Sequence, residues 1–184
     1  MKMIKLVKHR EEYSEEIFRL SSALPVKDAL GLPDGTIEDT KRFIQRVIEE
    51  EQAGKTVPRV ILNEANKLIG LTDLMFIDYD KKSCHIGTWI GHEYWGQGYN
   101  EASKIAILQI AFEELKLDYV FAGARVINIR SQKAQEKLPF IRLDVASKFP
   151  EEIKALEKKE KQPCILNVFY KEDFLNYLYD GLSN

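Results

Sequence analysis

A short glycine-containing segment constrains this chain most, because a strand pattern, a loop and a helix pattern follow one another without interruption. It runs from Gly87 to Phe112, and Gly96 and Gly98 lie in its loop. Glycine has no Cβ, so a ligand can approach the backbone closely at these positions. A helix that begins near Asn100 leaves its first N–H groups unpaired, and these groups and the helix dipole attract phosphate. The segment therefore predicts an anion site.

Two common nucleotide-binding motifs do not fit the spacing of this loop. The third glycine of a G-x-G-x-x-G dinucleotide motif would fall at Glu101. A P-loop needs Gly-Lys-Ser/Thr after its glycines, and no such triplet follows here. A different kind of phosphate loop is therefore needed.

Two segments resemble a known family. The string from Tyr94 to Ala102, Y-W-G-Q-G-Y-N-E-A, resembles the pyrophosphate loop of the GNAT acetyltransferase superfamily, in its ribosomal-protein N-terminal acetyltransferase (RimJ/RimL-like) branch. The segment from Asn128 to Leu138 is similar to that branch's N-x-x-S-x-x-A-x-x-K-L helix, at the family's spacing. The resemblance implies an acetyl-CoA-dependent N-acetyltransferase. Its acceptor would be a primary amine, of a protein N-terminus or a small molecule, that attacks the thioester directly.

The resemblance also implies which residues hold the cosubstrate, acetyl-CoA, and it implies no metal. Backbone groups of Thr88 to Gly91 would pair with the pantetheine arm and stabilise the carbonyl oxygen. Asn128 would bind the same arm and also cap its own helix. The expected cofactor-binding residues are Trp89, Ile90, Gly91, Gly96, Gln97, Gly98, Tyr99, Asn100, Asn128 and Ser131.

Two side chains are candidates for the catalytic proton transfers. By the resemblance, Ser131 would return a proton to the thiolate of CoA, although a serine in a first helical turn is also ordinary. An α-amine has a pKa of about 8, so a base helps to form the neutral nucleophile. His85 is the candidate base because it lies where the family usually carries Glu. A mid-strand histidine is more often simply hydrogen-bonded in place, and Asp73 and Asp78 are weaker alternatives.

Three positions depart from the family pattern. Glu93 stands where the loop motif has Gln or Arg, and a carboxylate there opposes a phosphate unless it turns outward. Gln135 replaces a tyrosine that many members use as an acid, and Pro139 replaces a glycine that ends the helix. These departures keep a second hypothesis open: a catalytically weak acyl-CoA-binding sensor or partner-binding module.

The periodicity and turn signals predict one GNAT domain over residues 1–184, of the α/β (α+β) class. Its mixed, mostly antiparallel central sheet would have about seven strands flanked by helices, with a helical insertion before the last strand. Thr36 to Asp39 reads as a capping box. The predicted helices span residues 10–21, 36–53, 100–115, 128–138, 150–161 and 172–182, and a loop spans 24–35. The predicted strands span residues 5–7, 57–62, 68–79, 82–90, 118–126 and 164–170, with another near Phe140.

Composition limits the expected partners. A net charge of −2 argues against nucleic acid. No segment has the apolar length of a membrane span, and the N-terminus offers no signal-peptide core. Cys84 and Cys164 have no metal-type spacing, so reduced thiols are expected. We therefore expect a cytoplasmic monomer or homodimer whose partners are acetyl-CoA or CoA and an amine acceptor, without nucleic acid or membrane.

Overall fold

A computed structural model describes residues 1–180, and this part of the chain contains six β-strands and seven α-helices. A π-helical turn, Ile110–Glu114, directly follows the fourth helix. The strands are β1 Lys5–Val7, β2 Val57–Leu62, β3 Leu68–Asp78, β4 Ser83–Ile90, β5 Tyr119–Arg125 and β6 Cys164–Tyr170. The helices are α1 Ser14–Ser22, α2 Leu24–Leu30, α3 Ile37–Gln52, α4 Tyr99–Gln109, α5 Ile129–Glu136, α6 Pro150–Glu160 and α7 Lys171–Asp180.

The strands form a mixed sheet in the order β1-β2-β3-β4-β5-β6. The pairs β1–β2, β2–β3 and β5–β6 are antiparallel, and β4–β5 is parallel. This confirms the predicted fold class, with six strands in residues 1–180 rather than about seven. The strand expected near Phe140 is reduced to one isolated bridge between Arg142 and Val168. Pro139 has no N–H to donate, and Asp144 has a φ of 56°, so the segment between them cannot extend as a regular strand.

The chain divides into two compact units. The first contains Met1–Phe76 and Gly87–Ile110, and the second contains Ile77–Ile86 with the described residues from Ala111 onward. The assignment of residues 1–184 to one GNAT domain stays a prediction.

In the first unit, α1 and α3 pack their apolar faces against the sheet. Ile17, Leu20, Ile44, Val60 and Leu71 form one buried cluster there. The start of α3 is the predicted capping box, in which Thr36 accepts from the Asp39 N–H and Asp39 accepts from the Thr36 N–H.

The loop predicted over 24–35 is wrong in its first half, where α2 forms. Pro25 lies in the first turn of α2, where no intrahelical N–H is required. Gly31 ends the helix in a left-handed conformation with a φ of 65°. Of the two prolines and two glycines that suggested a loop, Pro25 and Gly31 therefore mark the two ends of a short helix.

In the second unit, α6 covers β5 and β6. Leu156 packs against Phe121, Leu166 and Val168, which confirms a helical insertion before the last strand. The terminal helix is α7, and the end of its predicted range, residues 181 and 182, lies outside the described residues. No helix within residues 1–180 is both long and apolar enough to cross a membrane.

Candidate functional site

The loop between β4 and α4 exposes its backbone. A 3-10 turn at His92–Tyr94 leads into Gly96, Gln97 and Gly98, which are all exposed. Gly96 has a φ of 73° and Gly98 a φ of 88°. Residues with a side chain rarely adopt such left-handed conformations, so glycine favours this path.

The N-terminus of α4 has donors without acceptors. The helix begins at Tyr99, with Gly98 as its N-cap, and no side chain caps it. Its first i→i−4 bond is donated by Ala102 to the Gly98 carbonyl at 3.2 Å. The N–H groups of Tyr99, Asn100 and Glu101 precede that bond, so they have no acceptor within the helix. An anion placed at the loop would supply one.

Side chains hold the loop from within the first unit. The Trp95 Nε1 donates to the Ile90 carbonyl at 2.7 Å, and the Gln97 Nε2 donates to the Glu93 carbonyl at 3.1 Å. The buried Tyr99 donates its hydroxyl to Glu64 Oε2 at 2.9 Å. Trp95 and Tyr99 therefore use their rings to fix the loop, and their backbone is what the loop presents.

The unexpected carboxylate of Glu93 is neutralised locally. Its Oε1 lies 2.9 Å from Arg19 Nη2 on α1, and Arg19 also donates to Glu16 at 3.1 Å. The hydrogen bonds to Glu16 and Glu93 raise the pKa of Arg19 further. Glu93 is thus paired with a cation, which it shares with Glu16, so the pairing reduces the electrostatic objection to phosphate that the sequence raised.

The last half of β4 lies close to β3. A Cβ built on Gly87 would lie 2.6 Å from Asp73 Oδ1, so the missing side chain at this glycine leaves room for Asp73. Thr72 Oγ1 donates to the Gly87 carbonyl at 3.1 Å. Trp89 packs its side chain on the core cluster of the first unit. The Gly91 N–H donates to the Ile69 carbonyl at 2.7 Å, so it is already paired, and the oxyanion role of residues 88–90 stays a prediction.

Sequence reasoning missed a buried lysine in α4. Lys104 is only 6% exposed, and its Nζ donates to Asn100 Oδ1 at 2.8 Å. Burial lowers the pKa of Lys104 to about 8. Helical spacing carries the signal, because Leu108 and Ala111 follow Lys104 at i+4 and i+7 on the buried face.

In the second unit, Asn128 has its predicted capping role. Its Oδ1 accepts from the Ser131 N–H at 3.1 Å, at the start of α5. The Ser131 hydroxyl lies 3.4 Å from Gln135 Nε2 and is half-buried. Both residues keep their assigned roles as predictions.

Gln135 is a structural residue. It is 4% exposed, its Nε2 donates to the Gly123 carbonyl at 3.0 Å, and its Oε1 accepts from Asn167 Nδ2 at 2.8 Å. Its amide therefore joins α5 to β5 and β6.

His85 is also deeply placed in the second unit. It is 4% exposed, and its Nε2 lies 2.7 Å from Glu152 Oε2 on α6. Burial lowers the pKa of His85, and the hydrogen bond to Glu152 offsets part of that shift. The imidazole is thus neutral near pH 7, as a base must be, and its catalytic role stays a prediction. The sequence offered no sign of Glu152 as its partner, since 67 residues separate the two.

The structure thus places the predicted residues in two groups. Trp89 to Asn100 form one continuous strand end, loop and helix start in the first unit, while His85, Asn128 and Ser131 belong to the second. Among residues 1–180 there is no group of three or more His, Cys, Asp or Glu side chains that could hold a metal ion.

A mixed sheet with an exposed glycine loop before an uncapped helix is the arrangement that the motifs predicted. The family model for the acetyltransferase (GNAT) domain matches residues 4–141. The match covers more than half of the sequence, and this chain belongs to the GNAT acetyltransferase family.

Individual relatives agree with this assignment. YdaF of Bacillus subtilis (strain 168), whose name assigns it provisionally to the ribosomal N-acetyltransferases, is 34% identical over 74 residues, which span 40% of this chain and 40% of YdaF. The ribosomal L7/L12 alpha-N-protein acetyltransferase RimL superimposes with a TM-score of 0.72 at 17% identity, covering 92% of this chain and 90% of RimL. The name of YdaF is in line with the RimJ/RimL-like resemblance of the motifs, and RimL shows the same fold.

A third relative was solved with ligands. It is the spermidine N-acetyltransferase of Vibrio cholerae in complex with CoA and spermine, which superimposes with a TM-score of 0.73 at 15% identity. The superposition covers 94% of this chain and 98% of the Vibrio chain. At this identity, as for RimL, the likeness establishes the shared fold.

Proposed function

We propose that this protein is an acetyl-CoA-dependent N-acetyltransferase, in which a primary amine attacks the thioester directly. The observation that carries the proposal is the exposed glycine loop in front of the uncapped N-terminus of α4. In a member of the GNAT family, this is the element expected to receive the pyrophosphate of CoA. Acetyl-CoA would supply the activated acetyl group.

The residues present fit a pyrophosphate. The N–H groups of Tyr99, Asn100 and Glu101 have no intrahelical acceptor, and the positive end of the helix dipole lies with them. Gly96 and Gly98 present no side chain to a ligand, and Glu93 is held by Arg19. A phosphate here would satisfy donors that otherwise need water.

Four chemical roles are assigned from the family motifs. Backbone N–H groups of residues 88–90 would stabilise negative charge on the carbonyl oxygen. His85 would take the proton of the amine, directly or through water, and Ser131 would donate a proton to the departing sulfur. Asn128 would orient the pantetheine arm. These four assignments rest on the family motifs, and the burial that lowers the pKa of His85 favours the neutral form that a base needs.

The acceptor is proposed only as a class, a primary amine of a protein N-terminus or a small molecule. Relatives of both kinds support the choice, since RimL is an alpha-N-protein acetyltransferase and the Vibrio enzyme acts on spermidine. We also infer that the protein acts in the cytoplasm as a monomer or homodimer, without a nucleic-acid partner.

Isothermal titration with acetyl-CoA and with free CoA tests the first part of the proposal. Binding of both ligands is expected, because both carry the pyrophosphate. No binding at millimolar ligand would reject the proposal, whatever the acceptor.

A second candidate is an acyl-CoA sensor without useful catalysis. It is favoured by Gln135, which occupies the position of the family's tyrosine acid and is held by Gly123 and Asn167. Release of free CoA, measured with N-terminal peptides, polyamines and aminoglycosides as acceptors, separates the two functions. Turnover on any of these acceptors eliminates the sensor.

A further inference from the structure

Lys104 combines burial with the lack of a carboxylate partner. Only 6% of it is exposed, and its ammonium group donates a hydrogen bond to a neutral acceptor, Asn100 Oδ1. It forms no ion pair with any residue between 1 and 180. Lysine is almost never buried without a partner, because an ammonium group loses its hydration there. A partner that is absent from the protein chain itself would explain its position.

The direction of the side chain indicates where such a partner would bind. Side chains in a helix tilt toward its N-terminus, and Asn100 lies one turn before Lys104. The 2.8 Å bond between them therefore carries the ammonium group back to the first turn of α4. The N–H groups that lack acceptors lie in the same turn.

The other charges around this turn are already paired or face solvent. Glu93 is paired with Arg19, and Glu64 accepts from the Tyr99 hydroxyl. Lys2, near Gly98, has its Nζ 3.9 Å from Glu64. Glu101 is on the exposed side of α4. Lys104 is thus a cation at the helix start that no carboxylate of the described chain neutralises.

We propose that Lys104 binds the pyrophosphate of acetyl-CoA and supplies the positive charge that the loop itself lacks. The inference rests on the proposed function, because it assumes that the ligand is a CoA thioester. The loop motif of the family has Gln or Arg where this chain has Glu93, so a basic group from α4 would compensate for that departure. A hydrogen bond between an ammonium group and a phosphate is among the stronger ones in proteins.

The test is the replacement Lys104→Met, which keeps an unbranched apolar stem and removes the charge. Titration calorimetry with acetyl-CoA should show a dissociation constant raised by about 10- to 100-fold, as expected for the loss of one hydrogen bond to a charged group. The folded variant should be at least as thermally stable as the wild type, because an unpaired buried charge has been removed. Lys41→Met is the matched control, since Lys41 lies on α3 with 39% of its side chain exposed, and this variant should bind acetyl-CoA with the wild-type dissociation constant.

A second ligand locates the contact. Dephospho-CoA lacks the 3′-phosphate and retains the pyrophosphate, so Lys104→Met should weaken its binding by the same factor. A loss seen with CoA and absent with dephospho-CoA would overturn the pyrophosphate assignment. If the Met variant does not fold, Lys104→Leu takes its place in both titrations.

The outcomes also separate the two proposals. An unchanged dissociation constant in the folded variant, with normal binding by the wild type, overturns the role of Lys104 and leaves the proposed function intact. A wild type that binds neither acetyl-CoA nor CoA overturns both.

Discussion

The Nε2 atom of His85 on β4 lies 2.7 Å from the Oε2 atom of Glu152 on α6. Both side chains are well shielded, with 5% of His85 and 22% of Glu152 exposed. Glu152 therefore fixes one nitrogen of the imidazole, and its charge raises the pKa of His85 against the larger lowering by burial. A residue of the helical insertion thus orients the candidate base and partly offsets the effect of burial on its pKa.

If His85 is the base, Glu152→Gln should move the acidic limb of kcat/KM against pH to lower pH. The substitution removes the charge that favours protonated imidazole, so the pKa of His85 falls further. His85→Gln should remove that limb and lower the rate. The pH profile of CoA release from pH 5 to 9 measures both effects. If His85→Gln lowers the free energy of unfolding and leaves kcat/KM unchanged, the histidine is only structural.

Gly98→Val should weaken acetyl-CoA binding by about 10-fold or more, because its side chain would enter the path of the phosphate. Part of the effect is backbone strain, since Gly98 has a φ of 88°. Gly54→Val is the matched control, because Gly54 has a φ of 73° and no atom within 4 Å of its virtual Cβ. Both variants should lose at least about 1 kcal/mol of stability. Equal affinity in the two variants would place the phosphate elsewhere.

Ser131→Ala should slow the chemical step by about 100-fold or less while the dissociation constant of acetyl-CoA stays the same. The hydroxyl would act only as charge develops on sulfur, and water can replace it in part. Single-turnover kinetics with a saturating amine measures the step. Loss of affinity at an intact single-turnover rate would show that Ser131 only lines the binding slot.

Asn128→Ala should lower the free energy of unfolding by about 1 kcal/mol, because the Ser131 N–H loses its capping acceptor. It should also raise the dissociation constant of acetyl-CoA if the side chain binds the pantetheine arm. Urea denaturation and calorimetry separate the two effects. Asn128→Ser restores a cap with a shorter side chain, and recovery of stability without recovery of affinity would support both roles.

His9 should make the first unit sensitive to acid. It is 6% exposed, and its pKa is lowered to about 4, chiefly by burial, with Glu51 raising it and Arg59 lowering it. A histidine in the unfolded chain has a pKa of about 6.5. His9 in the folded state therefore becomes protonated only at a lower pH than in the unfolded chain. The contribution of neutral His9 to the free energy of unfolding is fully present above about pH 6.5 and is lost as the pH falls toward 4. At pH 5 the free energy of unfolding is lower by about 2 kcal/mol.

Urea denaturation of the wild type and of His9→Phe across this range measures the difference. The phenylalanine variant should lose less stability between pH 7 and 5, since its ring does not titrate. His92→Phe, at an exposed histidine, should keep the wild-type slope. If the free energy of unfolding of His9→Phe falls with pH as steeply as that of the wild type, other groups cause the acid sensitivity.

Much of the fold could be predicted from short-range signals. The bounds of β2 and β6 agree with the predicted ranges, because apolar and β-branched residues bounded by turn signals mark a strand wherever it pairs. The caps at Thr36 and Asn128 were also readable, since a capping side chain bonds to a backbone group two or three residues away. The Gly96–Gly98 loop could be predicted for the same reason, because its motif consists of residues close together in the sequence.

The missed elements show where local signals have two meanings. Pro25 and Gly31 are compatible with a loop and with the two ends of a helix, and only the packing of Val26 in the core selects the helix. Near Phe140, the apolar residues favoured a strand. The chain there pairs with β6 at a single position, because its neighbours cannot continue the ladder.

The amino-acid sequence by itself determined the family, the glycine loop and the helix that follows it, because each depends on residues close together in the chain. Only the tertiary structure decided the electrostatics of the candidate site. Arg19 forms an ion pair with Glu93, and Glu152 lies within hydrogen-bonding distance of His85. Lys104 is buried and has no carboxylate partner among the described residues. Ion pairs between distant residues and the loss of hydration depend on which surfaces the folded chain brings together, and no local pattern records that.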